Sequence, residues 1–167
     1  TVATATGVAF GPAQPLLAAE VPDQFGRLMG RIQGFLPPVV TAPTLVFRKP
    51  APHVYPLDDL VSERFLPSSA AEALRGALLS HETILVVGGT GTGKTTFLNS
   101  LLRELATLCP DERVAVLEDT PELVCSSPDR IRLRTSSGTT PPLGLYALLD
   151  AALRASPHRI VVGEVRD

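Results

Sequence analysis

One short stretch constrains this chain more than any other. Gly88-Gly89-Thr90-Gly91-Thr92-Gly93-Lys94-Thr95, followed by Thr96, fits the pattern GxxxxGK(S/T) at every fixed position. It comes directly after an apolar run, residues 83–87, and directly before residues 94–108, whose apolar positions fall at helical spacing. Strand, glycine loop and helix in that order form a phosphate cradle. The glycines let the backbone double back so that successive N–H groups converge, and the helix aims its positive end at the same point. Lys94 then reaches the β- and γ-phosphates of a nucleoside triphosphate, and the Thr95 hydroxyl takes a place in the shell of Mg²⁺. The bland alternative is a glycine-rich turn with an incidental lysine, and the flanking strand and helix argue against it.

The rest of the pattern predicts an α/β fold. Beyond the loop come a second apolar strand at 113–118, a short strand at 130–133, a helix at 143–155 and a third apolar strand at 159–163. Strands alternating with helices predict a mainly parallel sheet covered on both faces. Upstream of the loop, Leu57, Leu60, Val61 and Phe65, then Ala71, Leu74 and Leu78, recur at helical spacing, with Ser68 or Ser69 as N-cap. Residues 1–52 differ. They hold half of the sixteen prolines and three β-like runs, at 16–21, 31–36 and 44–47, so a small sheet-rich segment is expected at 1–52 and a nucleotide-binding core at 53–167.

Hydrolysis of a bound triphosphate needs one carboxylate in the metal shell and another that orients or deprotonates water. Ile160-Val161-Val162-Gly163-Glu164 and Val116-Leu117-Glu118-Asp119 both end an apolar run in an acid, at the sheet edge where open α/β folds bind ligands. Glu118 is the candidate water-activating base and Glu164 the candidate metal-shell carboxylate, with the two roles exchangeable; a solvated charge at a strand end is the competing reading for each. Asp119 and Glu122 are either supporting groups or residues of a turn that favours Asp, Thr and Pro. Arg154, Arg159 and Arg166 lie near the third strand, where an arginine can stabilise charge on a γ-phosphate, although a solvated face suits any one of them better. His53, His81 and His158 have no metal-ligand spacing with the cysteines and are expected to be structural or exposed.

Composition removes several classes. Fifteen basic and seventeen acidic side chains give a net charge of −2, and eight aromatic residues are scattered, so no nucleic-acid surface is evident. Cys109 and Cys125 lack CxxC spacing and are expected to be free thiols. No run approaches the roughly 18 apolar residues of a membrane span. Residue 1 is Thr, and the first basic residue is Arg27, so the apolar start lacks the charged region of a signal peptide.

Three elements in order, GGTGTGKTT at 88–96, VLEDTPEL at 116–123 and RIVVGEVRD at 159–167, resemble the secretion ATPase superfamily of type II secretion, type IV pili and type IV secretion. The similarity is greatest to its conjugative-transfer, TrbB-like branch. In that family the second element is the Asp box, matched at Glu118 and Asp119, and the third is a Walker B in which Glu replaces Asp, matched at Glu164. The resemblance implies a P-loop NTPase with a RecA-like sheet, preceded by the end of a small N-terminal domain and linker. It also implies ATP and Mg²⁺ as cofactors. The subunit would hydrolyse ATP as part of a homohexamer on the cytoplasmic face of a bacterial inner membrane, working with the inner-membrane components of a conjugation or secretion channel. Arginines of the N-terminal domain and linker, here Arg31 and Arg48, would approach the nucleotide. Ser156-Pro157-His158 departs from the Arg-Pro-Asp of related sequences, which puts a neighbour contact by Arg154 in doubt. A His box and further strands are expected after Glu164 and do not follow it, so the chain reads as a C-terminally truncated fragment, marginally stable and slow in turnover. The alternative is a nucleotide-binding module, or a remnant of such an ATPase, that does not hydrolyse.

Overall fold

The computed structural model describes residues 9–22, 28–49, 53–136 and 138–165. The chain forms two compact units, Thr1–Pro52 and His53–Asp167. Arg27 and Arg166, each singled out above, lie outside the described residues.

The first unit is an antiparallel meander of β1 (Leu16–Pro22), β2 (Leu28–Phe35) and β3 (Thr44–Arg48), in that order. Its register sorts the side chains by the twofold period of a strand. Leu17 opposes Gly34, which opposes Leu45; Ala19 opposes Ile32, which opposes Phe47. Leu17 and Ile32 are buried on that face, whereas Leu45 and Phe47 at the outer strand stay exposed. Glu20 opposes Arg31, an opposite-sign cross-strand pair of the kind that stabilises a sheet, and Arg31 in turn opposes Arg48, which carries the same sign.

The second unit is mixed α/β. Helices α1 (Leu57–Ser62), α2 (Ser68–Leu79) and α3 (Lys94–Leu108) precede β4 (Val114–Glu118), β5 (Arg130–Arg134), α4 (Leu145–Arg154) and β6 (Arg159–Val162). The three strands are parallel, in the order β5-β4-β6. Every residue of β4 is buried. Val114 and Val116 pack with Leu102 and Leu105 of α3 and Leu78 of α2, while Ala115 and Leu117 pack with Leu148 and Ala152 of α4. Each fully buried Val or Leu there contributes about 1.5–3 kcal/mol. Among the described residues, no helix is long and apolar enough to cross a membrane.

Three expectations need correction. Residues 83–87 are not part of the sheet: Ile84 and Val86 pack toward Leu57, Leu60 and Leu101, but Leu85 and Val87 are 81% and 79% exposed. This run has strand composition without a neighbouring strand, because β6 is hydrogen-bonded to β4 alone among the described strands. Ser68 is the first residue of α2 rather than its cap; the cap position is Pro67, which has no side-chain hydrogen bond to give. The fourth helix is two residues shorter at its start and one at its end than the spacing predicts, since Gly144 is extended and Ala155 ends the regular turn.

Helices α1 and α2 stop in the same way. In α1 the Phe65 N–H donates to the Leu60 carbonyl and the Arg64 N–H to that of Val61. In α2 the Glu82 N–H donates to Ala77 and the His81 N–H to Leu78. This double closure puts one residue in the left-handed region, usually glycine. Here Arg64 and His81 occupy it, at φ 58° and 57°, and Ser156 after α4 does so at 49°.

Candidate functional site

The site is built from the start of α3 and the carboxyl ends of β4 and β6. Gly93, the N-cap of α3, has φ 91°, and Gly91 has φ 77°; a Cβ at either would face open space, so it is the left-handed backbone, not crowding, that calls for glycine there. The Lys94 ammonium donates to the Gly88 and Gly89 carbonyls, at 2.8 Å each, and the Thr92 hydroxyl donates to Gly89 O at 2.8 Å. These bonds cross the loop from its helical side to the side that follows residues 83–87. Thr90 is at the exposed tip, Thr95 and Thr96 are half-buried in the first turn of α3, and the Thr96 carbonyl accepts from the Ser100 hydroxyl. A bent glycine loop, a helix N-terminus, an ammonium and a threonine hydroxyl form a donor set suited to a triphosphate and its cation.

Glu118 ends β4 and is only 4% exposed. Its Oε1 accepts the Glu122 and Leu123 N–H groups, both at 2.7 Å, and its Oε2 accepts from Arg132 Nη2 at 2.9 Å. A carboxylate taking three donors is held in place. Gly163 sits against it: the chain continues the β6 ladder through Gly163 N–H to Leu117 O at 2.9 Å, and a Cβ at Gly163 would stand 3.2 Å from Glu118 Cγ. Glu164 follows, exposed, at the end of the strand next to β4. Glu118 and Glu164 are thus on adjacent strand ends.

Glu122 reaches the loop's helix. The Thr95 hydroxyl donates to Glu122 Oε2 at 3.4 Å. Asn99, one turn further along α3, donates from Nδ2 to the Glu122 carbonyl at 3.3 Å and accepts the Val124 N–H at 2.8 Å. Arg132 also donates to the Leu123 carbonyl at 3.1 Å. Asp119 turns away from this group; its carboxylate accepts from the Thr135 hydroxyl, and its carbonyl from Arg134 Nε.

Asn99 and Arg132 are thereby part of the site, although no motif points to them. A signal for Asn99 does exist: it interrupts the buried stripe of α3 four residues after Thr95, and a buried polar group requires partners. Arg132 is masked by the alternation of RIRLR in β5, which looks like an ordinary exposed strand face.

Other singled-out residues lie elsewhere. Arg159 Nε donates to Glu112 Oε2 at 2.6 Å, and its Nη2 to the Leu78 carbonyl at 2.6 Å, at the opposite, amino end of β6. His81 pairs with Glu112 at 2.9 Å. The Arg159 guanidinium chiefly, with smaller contributions from His81 and His158, holds the Glu112 carboxyl below its ordinary range. His158 Nδ1 accepts the Arg113 N–H, and the His53 ring meets Tyr55 edge-on. Cys109 and Cys125 are free.

The model of the family described as Type II/IV secretion system protein matches residues 18–167. The chain belongs to that family. It is 38% identical to conjugal transfer protein TrbB of Rhizobium radiobacter, over 92% of this chain and 45% of that protein. It is 33% identical to VirB11 of Agrobacterium fabrum, over 94% and 52%, and 34% identical to type IV secretion system protein PtlH of Bordetella pertussis, over 93% and 51%. The similarity extends to the TrbB conjugal-transfer branch. The chain spans about half the length of these curated relatives.

Proposed function

We propose that this chain is the nucleotide-binding part of an ATP-hydrolysing motor subunit of a conjugative-transfer or type IV secretion machine, with a P-loop NTPase fold of the RecA type and the 1–52 and 53–167 division as its domain boundary. The observation that carries the reading is the loop 88–93, with Gly91 and Gly93 in the left-handed region, opening α3 at Lys94 and Thr95. Gly88, Gly89, Thr90, Gly91, Thr92 and Gly93 would surround the phosphates, Lys94 would neutralise them, and Thr95 and Glu164 would hold Mg²⁺. When bound, Mg²⁺-ATP supplies the scissile phosphoanhydride and the cation that offsets charge on its oxygens. The subunit would act in a homohexamer beside inner-membrane channel components, on the cytoplasmic side of a bacterial membrane; names and family of the relatives support the machine, not its cargo.

Glu118 is proposed as the water-activating carboxylate from its place at the end of β4. A second reading has one observation in its favour: both oxygens of Glu118 are taken by three donors, while Glu122 approaches Thr95. Here Glu118 holds the 122–124 segment and Glu122 orients water. Mg²⁺-dependent ATP hydrolysis and nucleotide binding by wild type, Lys94→Ala, Glu118→Gln, Glu122→Gln and Glu164→Gln test both. Loss of binding in Lys94→Ala is expected. Binding kept with turnover lost in Glu122→Gln, and turnover only partly lost in Glu118→Gln, selects the second reading; the reverse ranking selects the first. Binding without turnover in wild type would return the non-hydrolysing module.

A further inference from the structure

The 122–124 segment has no regular secondary structure, yet five of its backbone groups are bonded to side chains. Glu118 takes the N–H groups of 122 and 123, and Arg132 takes the carbonyl of 123. Asn99 takes the remaining pair, the carbonyl of 122 and the N–H of 124. Two of these brackets, Glu118 and Arg132, belong to the sheet, and they are ion-paired to each other at 2.9 Å. Asn99 alone of the three belongs to α3, the helix that begins at the phosphate loop. Four residues separate it from Thr95, so the two side chains share a helix face about 6 Å apart along the axis. Asn99 is 4% exposed and uses both ends of its amide, which fixes its rotamer and leaves it no slack.

We propose that Asn99 is a positioning residue: it clamps the backbone that carries Glu122 to the helix that carries Thr95, and so sets the distance of the Glu122 carboxylate from the nucleotide. The inference rests on the ATPase reading and on the second assignment within it. The clamp matters because Glu122 meets Thr95 across 3.4 Å, where a shift of the segment by an ångström removes the approach. Misplacement on that scale costs up to about a hundredfold in rate. Arg132 and Glu118 would keep the segment folded without Asn99, but with no hydrogen bond from its backbone to α3.

A double-mutant cycle on the full chain tests it, using wild type, Asn99→Ala, Glu122→Gln and the double variant, with Mg²⁺-ATP as substrate. Asn99→Ala is expected to lower kcat at least about tenfold with KM within about threefold, and to have no further effect in the Glu122→Gln background. Asn99→Asp keeps the acceptor for the Val124 N–H but not the donor to the Glu122 carbonyl, so it should lose less than Asn99→Ala; it also replaces Asn99→Ala in the cycle if that variant does not fold. Amide hydrogen exchange provides a readout independent of turnover. The Val124 amide should exchange faster in Asn99→Ala and stay protected in Asn99→Asp. An equal loss of kcat in both backgrounds, a change in KM alone, or unchanged Val124 exchange overturns the proposal. Turnover that persists in Lys94→Ala overturns the ATPase reading instead, and Lys94-dependent turnover with additive Asn99 and Glu122 effects overturns only the clamp. If wild type hydrolyses nothing, the cycle is read on the Mg²⁺-dependent gain in affinity for a fluorescent ATP analogue, and absence of that gain overturns both.

Discussion

Residues 83–87 and β4 are the two most strand-like stretches of the second unit, and they end up differently. Thr83-Ile84-Leu85-Val86-Val87 and Val114-Ala115-Val116-Leu117-Glu118 are similar in length and apolar content. The second has a strand on each side and a helix on each face, and all five residues are buried. The first has no regular secondary structure, packs Ile84 and Val86 inward, and leaves Leu85 and Val87 to solvent. An apolar run supplies the side chains of a strand, but its partners come from elsewhere in the chain. Burial on both faces and pairing on both edges are properties of a neighbourhood.

The largest effect that would sharpen this contrast comes from truncating the buried strand. Leu117→Ala should cost about 2–5 kcal/mol, and Leu85→Ala less than about 0.5 kcal/mol, read from urea midpoints at unchanged slope. Equal costs would mean that residues 83–87 are as well packed as β4, and would break the comparison.

A smaller effect concerns the ties at the amino end of the sheet, where Arg159 and His81 converge on Glu112. Arg159 and Glu112 are 11% and 16% exposed at the side chain, so removing one leaves the other partly desolvated; Arg159→Ala should cost about 2 kcal/mol. The sign of the pH dependence follows from Glu112, whose carboxyl is held below its ordinary 4.5, chiefly by Arg159. A depressed carboxyl stabilises the folded state above the unfolded pKa, and that contribution is lost as pH falls from about there through the lower folded value. Glu112→Gln should therefore be less stable than wild type at neutral pH and converge on it in acid. A constant gap from pH 7 to pH 3 would rule out this assignment.

The smallest effect concerns the entrance to residues 83–87. His81 pays for its left-handed φ of 57° at the end of α2. His81→Gly relieves about 1 kcal/mol of backbone strain while giving up the exposed pairing with Glu112, so a net stabilisation of at most about 0.5 kcal/mol is expected in thermal melts. Arg64→Gly has no such pairing to Glu112 to lose and should gain about 1 kcal/mol. A loss of stability in Arg64→Gly would mean that its side chain contributes more than its backbone costs.

Much of the second unit was legible because its signals are local. The start of α3 at Lys94 and its end at Leu108 follow from glycine punctuation and helical spacing, and β4 and β6 from short apolar runs. The loop was legible for the same reason, since every group it needs lies within nine consecutive residues. The acids were only half legible. A carboxylate at a strand end reads alike whether it faces a ligand or the protein, and Glu118 faces Arg132 and two backbone amides. Glu122 read equally as a supporting group or as part of a turn, because Thr95, the residue that makes it interesting, is 27 positions away.

By itself, then, the sequence determined the glycine-rich loop 88–93, the helix it opens, the alternation that buries Val114 and Val116 on one face and Ala115 and Leu117 on the other, and the family through three ordered motifs. These depend on backbone conformations and periodicities that neighbouring residues set among themselves. Tertiary structure alone decided that residues 83–87 stand outside the sheet, that Glu118 is saturated by Arg132 and the 122–123 amides, and that Asn99 ties the acidic segment to the helix of the loop. Each of these depends on groups far apart in the chain, whose meeting is fixed by packing and by the need to satisfy buried polar atoms, neither of which a local pattern records.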